Sequence, residues 1–222
     1  MKKVLVLAAC MLFLVGGVAQ AAYTTTLHLG AANWTPMTGQ GQIGGGSFNG
    51  STIPAIGGQS LPWIYCVDII NPIYGSETYP GPDPISNYTV NVTTDGKIHG
   101  VDVANKDKVA YLLENYAADA AGNKNKESAL QAAIWNQVSN GAWSLDSTAQ
   151  AETKAYYATI TAGIGSGNVS SFLWLSPTDG PQGAKNYQGL VTTPIPGAVW
   201  LLGSGLAGLV GIGRFRRKRT AV

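Results

Sequence analysis

The chain reads as an α+β protein, a β-rich barrel or sandwich domain interrupted by about three helices, with an apolar segment at each end. Three observations predict this. Tyr88, Val90 and Val92 alternate with polar residues, the period of a half-buried strand. Val109, Leu112, Leu113 and Tyr116 fall at helical spacing and give one buried stripe. Between such segments the chain is broken by loop-forming stretches, mostly Gly, Ser, Gln and Asn over 38–60 and with four prolines over 71–86.

Taken in order, residues 23–29 are rich in Thr and apolar groups and predict a strand. The segment 38–60 reads as loop, with a short strand near Phe48. Leu61 to Ile70 is mainly apolar and β-branched or aromatic, as expected of a buried strand. After the proline-rich stretch, the strand at Tyr88–Val92 meets Asp95 and Gly96, a hairpin turn, and Ile98, Val101 and Val103 continue beyond it. Asn105 stands where it can cap the first helix. A second helix is predicted from about Lys126 to Val138, with Leu130, Ile134 and Val138 on one line, and a third between Ser147 and Gly163. Val169 to Leu175 then reads as a strand.

The two ends carry a different kind of information. Residues 1–21 place Lys2 and Lys3 before an apolar run and end on Ala19, Gln20 and Ala21, the layout of a secretory signal peptide. Leu7 to Cys10 also has the form of a lipoprotein box, but the apolar run before it is very short. Cleavage after Ala21 is the expectation. At the far end a linker, 191–196, precedes an apolar stretch, 197–213, and a basic tail, 214–222, with Arg214, Arg216, Arg217, Lys218 and Arg219. An apolar span of about 20 residues crosses a bilayer, and a basic cluster beyond it stays on the cytoplasmic side. The domain between, 22–190, is thereby expected outside the cytoplasm. It holds seven lysines, no arginine and all twelve acids, a net charge near minus five. Such a surface lacks the basic patch that phosphate binding needs, which argues against nucleic acid as a partner.

Pro194 and Pro196, the Gly-rich helix with Trp200, and the basic end together resemble the PEP-CTERM signals processed by exosortases. The usual motif has Glu between the prolines, and Ile195 stands there. The resemblance implies cutting near the prolines by an exosortase and transfer to the cell surface or its polysaccharide matrix.

Several motifs carry little. Gly39, Gly41 and Gly44 match the dinucleotide fingerprint in letters, but no strand-to-helix frame is predicted around them. His28 and His99 are the only histidines, too few with one cysteine for a transition-metal cluster, and each is expected on the solvent face of its strand. The acids Asp83, Asp95 and Asp102 are scattered, so neither a metal nor a cofactor is called for.

Cysteine usage is more informative. Cys10 leaves with the signal peptide, and Cys66 alone cannot form an internal disulfide in an exported protein. Read without any family, Cys66 in its apolar strand is a small buried hydrophobe, Gln131 an exposed helix residue and Trp135 a core aromatic. Two segments nevertheless stand out, Tyr65, Cys66, Val67, Asp68 on a strand and Leu130, Gln131, Ala132, Ala133, Ile134, Trp135 on a helix. They resemble the thioester domains of bacterial surface adhesins, in which a strand Cys bonds to the Gln of a later Thr-Gln-x-Ala-apolar-Trp motif. Leu130 replaces the Thr.

The resemblance implies an internal Cys66–Gln131 thioester, open to attack by an amine on a partner, and hence a single covalent attachment rather than turnover catalysis. Trp135 lies four residues after Gln131, so the two are neighbours on a helix and the indole can cover the bond. Ala133 and Ile134 complete the motif, and Asp68 shares a strand face with Cys66, where it can handle protons. The expected partners are an amine-bearing surface or matrix component, the exosortase, and the membrane through the C-terminal helix. Two other readings stay open: a non-covalent module for matrix or carbohydrate, with Trp34, Trp63, Trp143 and Trp174 as stacking groups, and a dimer joined through Cys66.

Overall fold

A computed structural model describes residues 23–27, 31–36, 42–49, 52–53, 59–61, 63–69, 88–178 and 188–192. The predicted signal peptide, His28, the sorting motif at Pro194 and Pro196, the apolar stretch 197–213 and the basic tail lie outside them. Among the described residues no helix is long and apolar enough to cross a membrane.

The described residues form eleven strands: β1 (Tyr23–Leu27), β2 (Ala31–Pro36), β3 (Gln42–Asn49), β4 (Thr52–Ile53), β5 (Gln59–Ser60), β6 (Ile64–Cys66), β7 (Tyr88–Thr93), β8 (Lys97–Ile98), β9 (Val101–Asp102), β10 (Leu173–Pro177) and β11 (Leu190–Thr192). Seven of them make one sheet in the order β1-β7-β10-β11-β6-β3-β2. Every neighbouring pair is antiparallel. The sheet is open: β1 and β2 stand at opposite ends of that order, so the expected barrel does not close among the described residues. Three helices follow β9 and precede β10: α1 (Lys106–Ala120), α2 (Lys124–Val138) and α3 (Ala151–Thr161). The class is α+β, with three helices as the sequence predicts.

Local departures from the sequence reading have identifiable causes. The Gly-rich segment is not all loop, since β3 runs through Gly44, Gly45 and Gly46 and pairs with β2 and, at Gly46, with Ile64. Helix α2 crosses this strand, and glycine is suited to a strand that another backbone approaches closely. The predicted hairpin is also displaced. Both edges of β7 are taken, by β1 and β10, so the chain leaving Asp95–Gly96 cannot fold back on β7. It pairs instead one turn later, β8 with β9, around His99 and Gly100, which both have positive φ as a two-residue hairpin loop demands. The Leu61–Ile70 strand shortens to Ile64–Cys66, and the last predicted strand begins with a 3-10 turn at Val169–Ser171.

Asn105 occupies the N-cap of α1 in a left-handed conformation, but its side chain makes no cap bond. Its amide donates to the Gln137 carbonyl at 2.8 Å and to Asn140 Oδ1 at 2.9 Å, tying the start of α1 to the end of α2. The cap that sets α2 is Asn123, whose side chain accepts from the backbone of Asn125 and Lys126.

Helix α2 is buried without a break from Glu127 to Trp135, not along one stripe. It touches α1, α3 and strands β2, β3 and β6, so every face of its middle meets a neighbour. The polar groups drawn in with it are bonded. Glu127 accepts from Gly122 N at 2.9 Å, and Ser128 Oγ donates to the Lys124 carbonyl at 2.7 Å. Leu130, Ile134, Trp174, Leu175 and Leu190 form the core beside it, each with no exposed surface.

Candidate functional site

Cys66 ends β6, and its side chain is buried. On one side β6 pairs with β11, Cys66 opposite Leu190, and Val67 N donates to the Gly189 carbonyl at 3.0 Å. On the other side β3 reaches only Ile64. The next strand edge position, the N–H and C=O of Cys66, is therefore open to another partner, and α2 supplies it.

Gln131 is completely buried. Its Oε1 accepts from Cys66 N at 2.8 Å, and its Nε2 donates to the Cys66 carbonyl at 2.9 Å. The carboxamide thus sits against Cys66 as a peptide unit of a further strand would. Trp135 joins the same acceptor, its indole Nε1 donating to the Cys66 carbonyl at 3.1 Å. Its ring meets Trp143 edge-on, with centroids 5.5 Å apart. Ala133 and Ile134 are fully buried; Ile134, like Leu130, packs in the core and holds the helix in this register. Cys66, Gln131 and Trp135, joined in the sequence reading, are brought together by three hydrogen bonds.

Burial pushes the Cys66 thiol well above its ordinary value, and the Asp68 carboxylate adds to the shift. Asp68 lies almost as deep. Its Oδ2 is 3.5 Å from His99 Nε2, with side-chain exposures of 10% for Asp68 and 18% for His99. The His99 N–H donates to Ser176 Oγ at 2.7 Å, and the Asp68 carbonyl accepts from Gln188 Nε2 at 2.7 Å. His99 is thus not on the solvent face of a strand as expected; it occupies the β8–β9 turn and faces Asp68. The His-Gly pair, a two-residue turn with both φ positive, is the sequence feature that points to this placement.

Comparison with protein-family profiles, with curated proteins and with solved structures finds no match.

The chemistry available follows from the groups themselves. The residue that carries the thiol holds the Gln131 carboxamide on its own backbone, with the amide oxygen fixed on the Cys66 N–H, and that N–H would stabilise negative charge developing on the oxygen if the carbonyl were attacked. Among the described residues no group of three or more His, Cys, Asp and Glu is placed to hold a metal ion. Of the three fingerprint glycines, Gly39 and Gly41 lie outside the described residues, and Gly44 lies within β3 and not on a turn leading to a helix.

Proposed function

We propose that Cys66 and Gln131 form an internal thioester, and that the protein uses it to attach itself covalently to an amine on a neighbouring surface. The single observation that carries this is the two-point hydrogen bonding of the buried Gln131 carboxamide to the backbone of Cys66. In the first step the Cys66 sulfur attacks Gln131 Cδ, the thiol proton passes to Nε2, and ammonia leaves. In the second step an amine attacks Cδ, the Cδ–Sγ bond breaks, and the thiol returns as a new amide forms. Each step balances without oxidant or reductant, and the protein is consumed.

A raised thiol is the reverse of what a turnover nucleophile has, since the thiolate is the attacking species. It suits a bond formed once and kept. A thiolate of higher pKa leaves more slowly, and water is excluded from a site with Gln131 fully buried, so the same burial that slows formation slows loss. Export by the N-terminal segment and sorting through Pro194, Pro196 and the basic tail belong to this reading, because a single-use acyl group serves a protein that meets its partner outside the cell.

One observation favours a second reading. With the sulfur unreacted, the two bonds from Gln131 already complete the edge of β6, a structural use of the carboxamide that fits a non-covalent matrix protein. Intact mass of the full chain as processed, beside Cys66→Ala, separates the two. The thioester reading expects wild type to be lighter than its sequence mass by one ammonia and the variant to match its own. Freshly purified wild type at its sequence mass would overturn it.

A further inference from the structure

We propose that Trp143, on the loop that follows α2, is a positioning residue for the Cys66–Gln131 centre: its ring holds the Trp135 indole over the two residues, and its withdrawal frees the indole to turn away and let a solute in. The use of such a cover rests on the thioester reading, because a buried acyl group meets an amine through an opening; the cover itself does not.

One line of α2 leads from the centre to the surface. Gln131, Trp135 and Ser139 are spaced four residues apart and so share a helix face. Gln131 is fully buried and Cys66 is 1% exposed, Trp135 is 8% exposed, and Ser139 and Trp143 are half-buried. Beyond Val138 the chain reverses at Asn140 and Gly141, both with positive φ. The Gly141 N–H donates to the Asn136 carbonyl at 2.7 Å, a turn that ends a helix and folds the chain back on it. The reversal brings the Trp143 ring edge-on against Trp135. Two bonds pin it there: its N–H donates to Ser139 Oγ and its carbonyl accepts from Asn136 Nδ2, each at 2.9 Å.

The cover can open while the core stays closed. The two bonds on Trp143 are made within residues 136–143, and Gly141, Ala142 and Ser144 around it are exposed, the features of a segment that opens locally at less than the global cost. Asn105 holds the turn itself, at the Gln137 carbonyl and Asn140 Oδ1, so Trp143 moves about a fixed pivot. Release of the indole costs little in the free form, where Gln131 Nε2 still donates to the Cys66 carbonyl. Once ammonia has left, the indole N–H is the one of these two donors that remains. A buried carbonyl without a donor is unfavourable, so the loaded centre keeps its cover shut between encounters.

The test compares wild type, Trp143→Ala, Trp143→Phe and Ser139→Ala as full chains. Two rates are read: the gain of methylamine by intact mass, and the reaction of the Cys66 thiol so released with a chromogenic disulfide. Both should rise several-fold, up to about tenfold, in Trp143→Ala, the weight of a lost edge-on ring contact. They should rise less in Ser139→Ala and change by less than about twofold in Trp143→Phe, which keeps an aromatic ring. In wild type both rates should be nearly independent of urea below the unfolding transition, because a local opening exposes little surface. A Trp143 that merely stabilised the fold would leave labelling to follow global unfolding and climb steeply with urea from the outset. Rates unchanged in both Trp143→Ala and Ser139→Ala, or a steep urea dependence in wild type, overturn the cover and leave the thioester standing. Absence of the mass deficit in wild type overturns the thioester; Cys66 is then labelled directly, and the same comparison of labelling rates decides the cover.

Discussion

At the residue scale the centre of the protein is the Gln131 carboxamide. It is the partner of Cys66 N–H and one of two donors to the Cys66 carbonyl. Gln131→Ala strands a buried N–H and leaves a cavity, so the loss in stability is expected at about 2–4 kcal/mol. Where the thiol is unreacted, Cys66→Ala removes one buried sulfur and keeps the hydrogen bonds, and about 1 kcal/mol is expected; where the thioester has formed, the same change also removes a cross-link and the loss rises to about 3 kcal/mol or more. Urea unfolding of the two variants beside wild type checks the order, and equal losses would show that the carboxamide bonds contribute little. Gln131 and Trp135 are legible in the sequence as neighbours four residues apart on a helix, whereas Cys66 joins them only through a resemblance and not through any spacing. The sequence did not reveal His99 as the neighbour of Asp68, since a pair 31 residues apart depends on where the chain turns, and the turn falls at His99–Gly100 and not at Asp95–Gly96.

At the element scale α2 is the part that sets the site. Its start is fixed by the Asn123 cap, and its middle is enclosed by α1, α3 and the sheet. Asn123→Ala should cost about 1 kcal/mol, the usual value of such a cap. Read by thermal unfolding, a change within error would mean that tertiary packing alone fixes the helix. The first two helices are evident in the sequence from their apolar spacing, and the third, placed between Ser147 and Gly163 without such a stripe, runs over Ala151–Thr161. The burial of α2 on all faces is not evident there, because Glu127, Ser128 and Gln131 are polar and their partners lie elsewhere in the chain. Strand β3 is hidden for a related reason. Gly44, Gly45 and Gly46 have no side chains to alternate, and only the strands and helix around them make the segment a strand.

At the scale of the whole molecule, the buried acids of the thiol and phenol type predict how stability depends on pH. Burial raises Cys66 above its ordinary 9.0 and Tyr65 above 10.0, with Glu127 adding to the latter. The folded chain then holds protons that the unfolded chain has lost, so stability is full below about pH 9 and falls as pH rises beyond it. A Cys66 engaged with Gln131 has no proton to lose, and its share of the slope disappears. Urea unfolding between pH 7 and 10.5 should therefore give wild type and Cys66→Ala the same alkaline slope if the bond is present; a steeper fall in wild type would report a free thiol. The sheet order has a mechanical consequence as well. Strand β11, the last described strand, runs between β10 and β6 and is antiparallel to both. A pull applied between the Gln131 side chain and the chain beyond Thr192 would load β11 along its length. Its hydrogen bonds on both sides would be sheared together and not unzipped one after another, an arrangement that grips under tension.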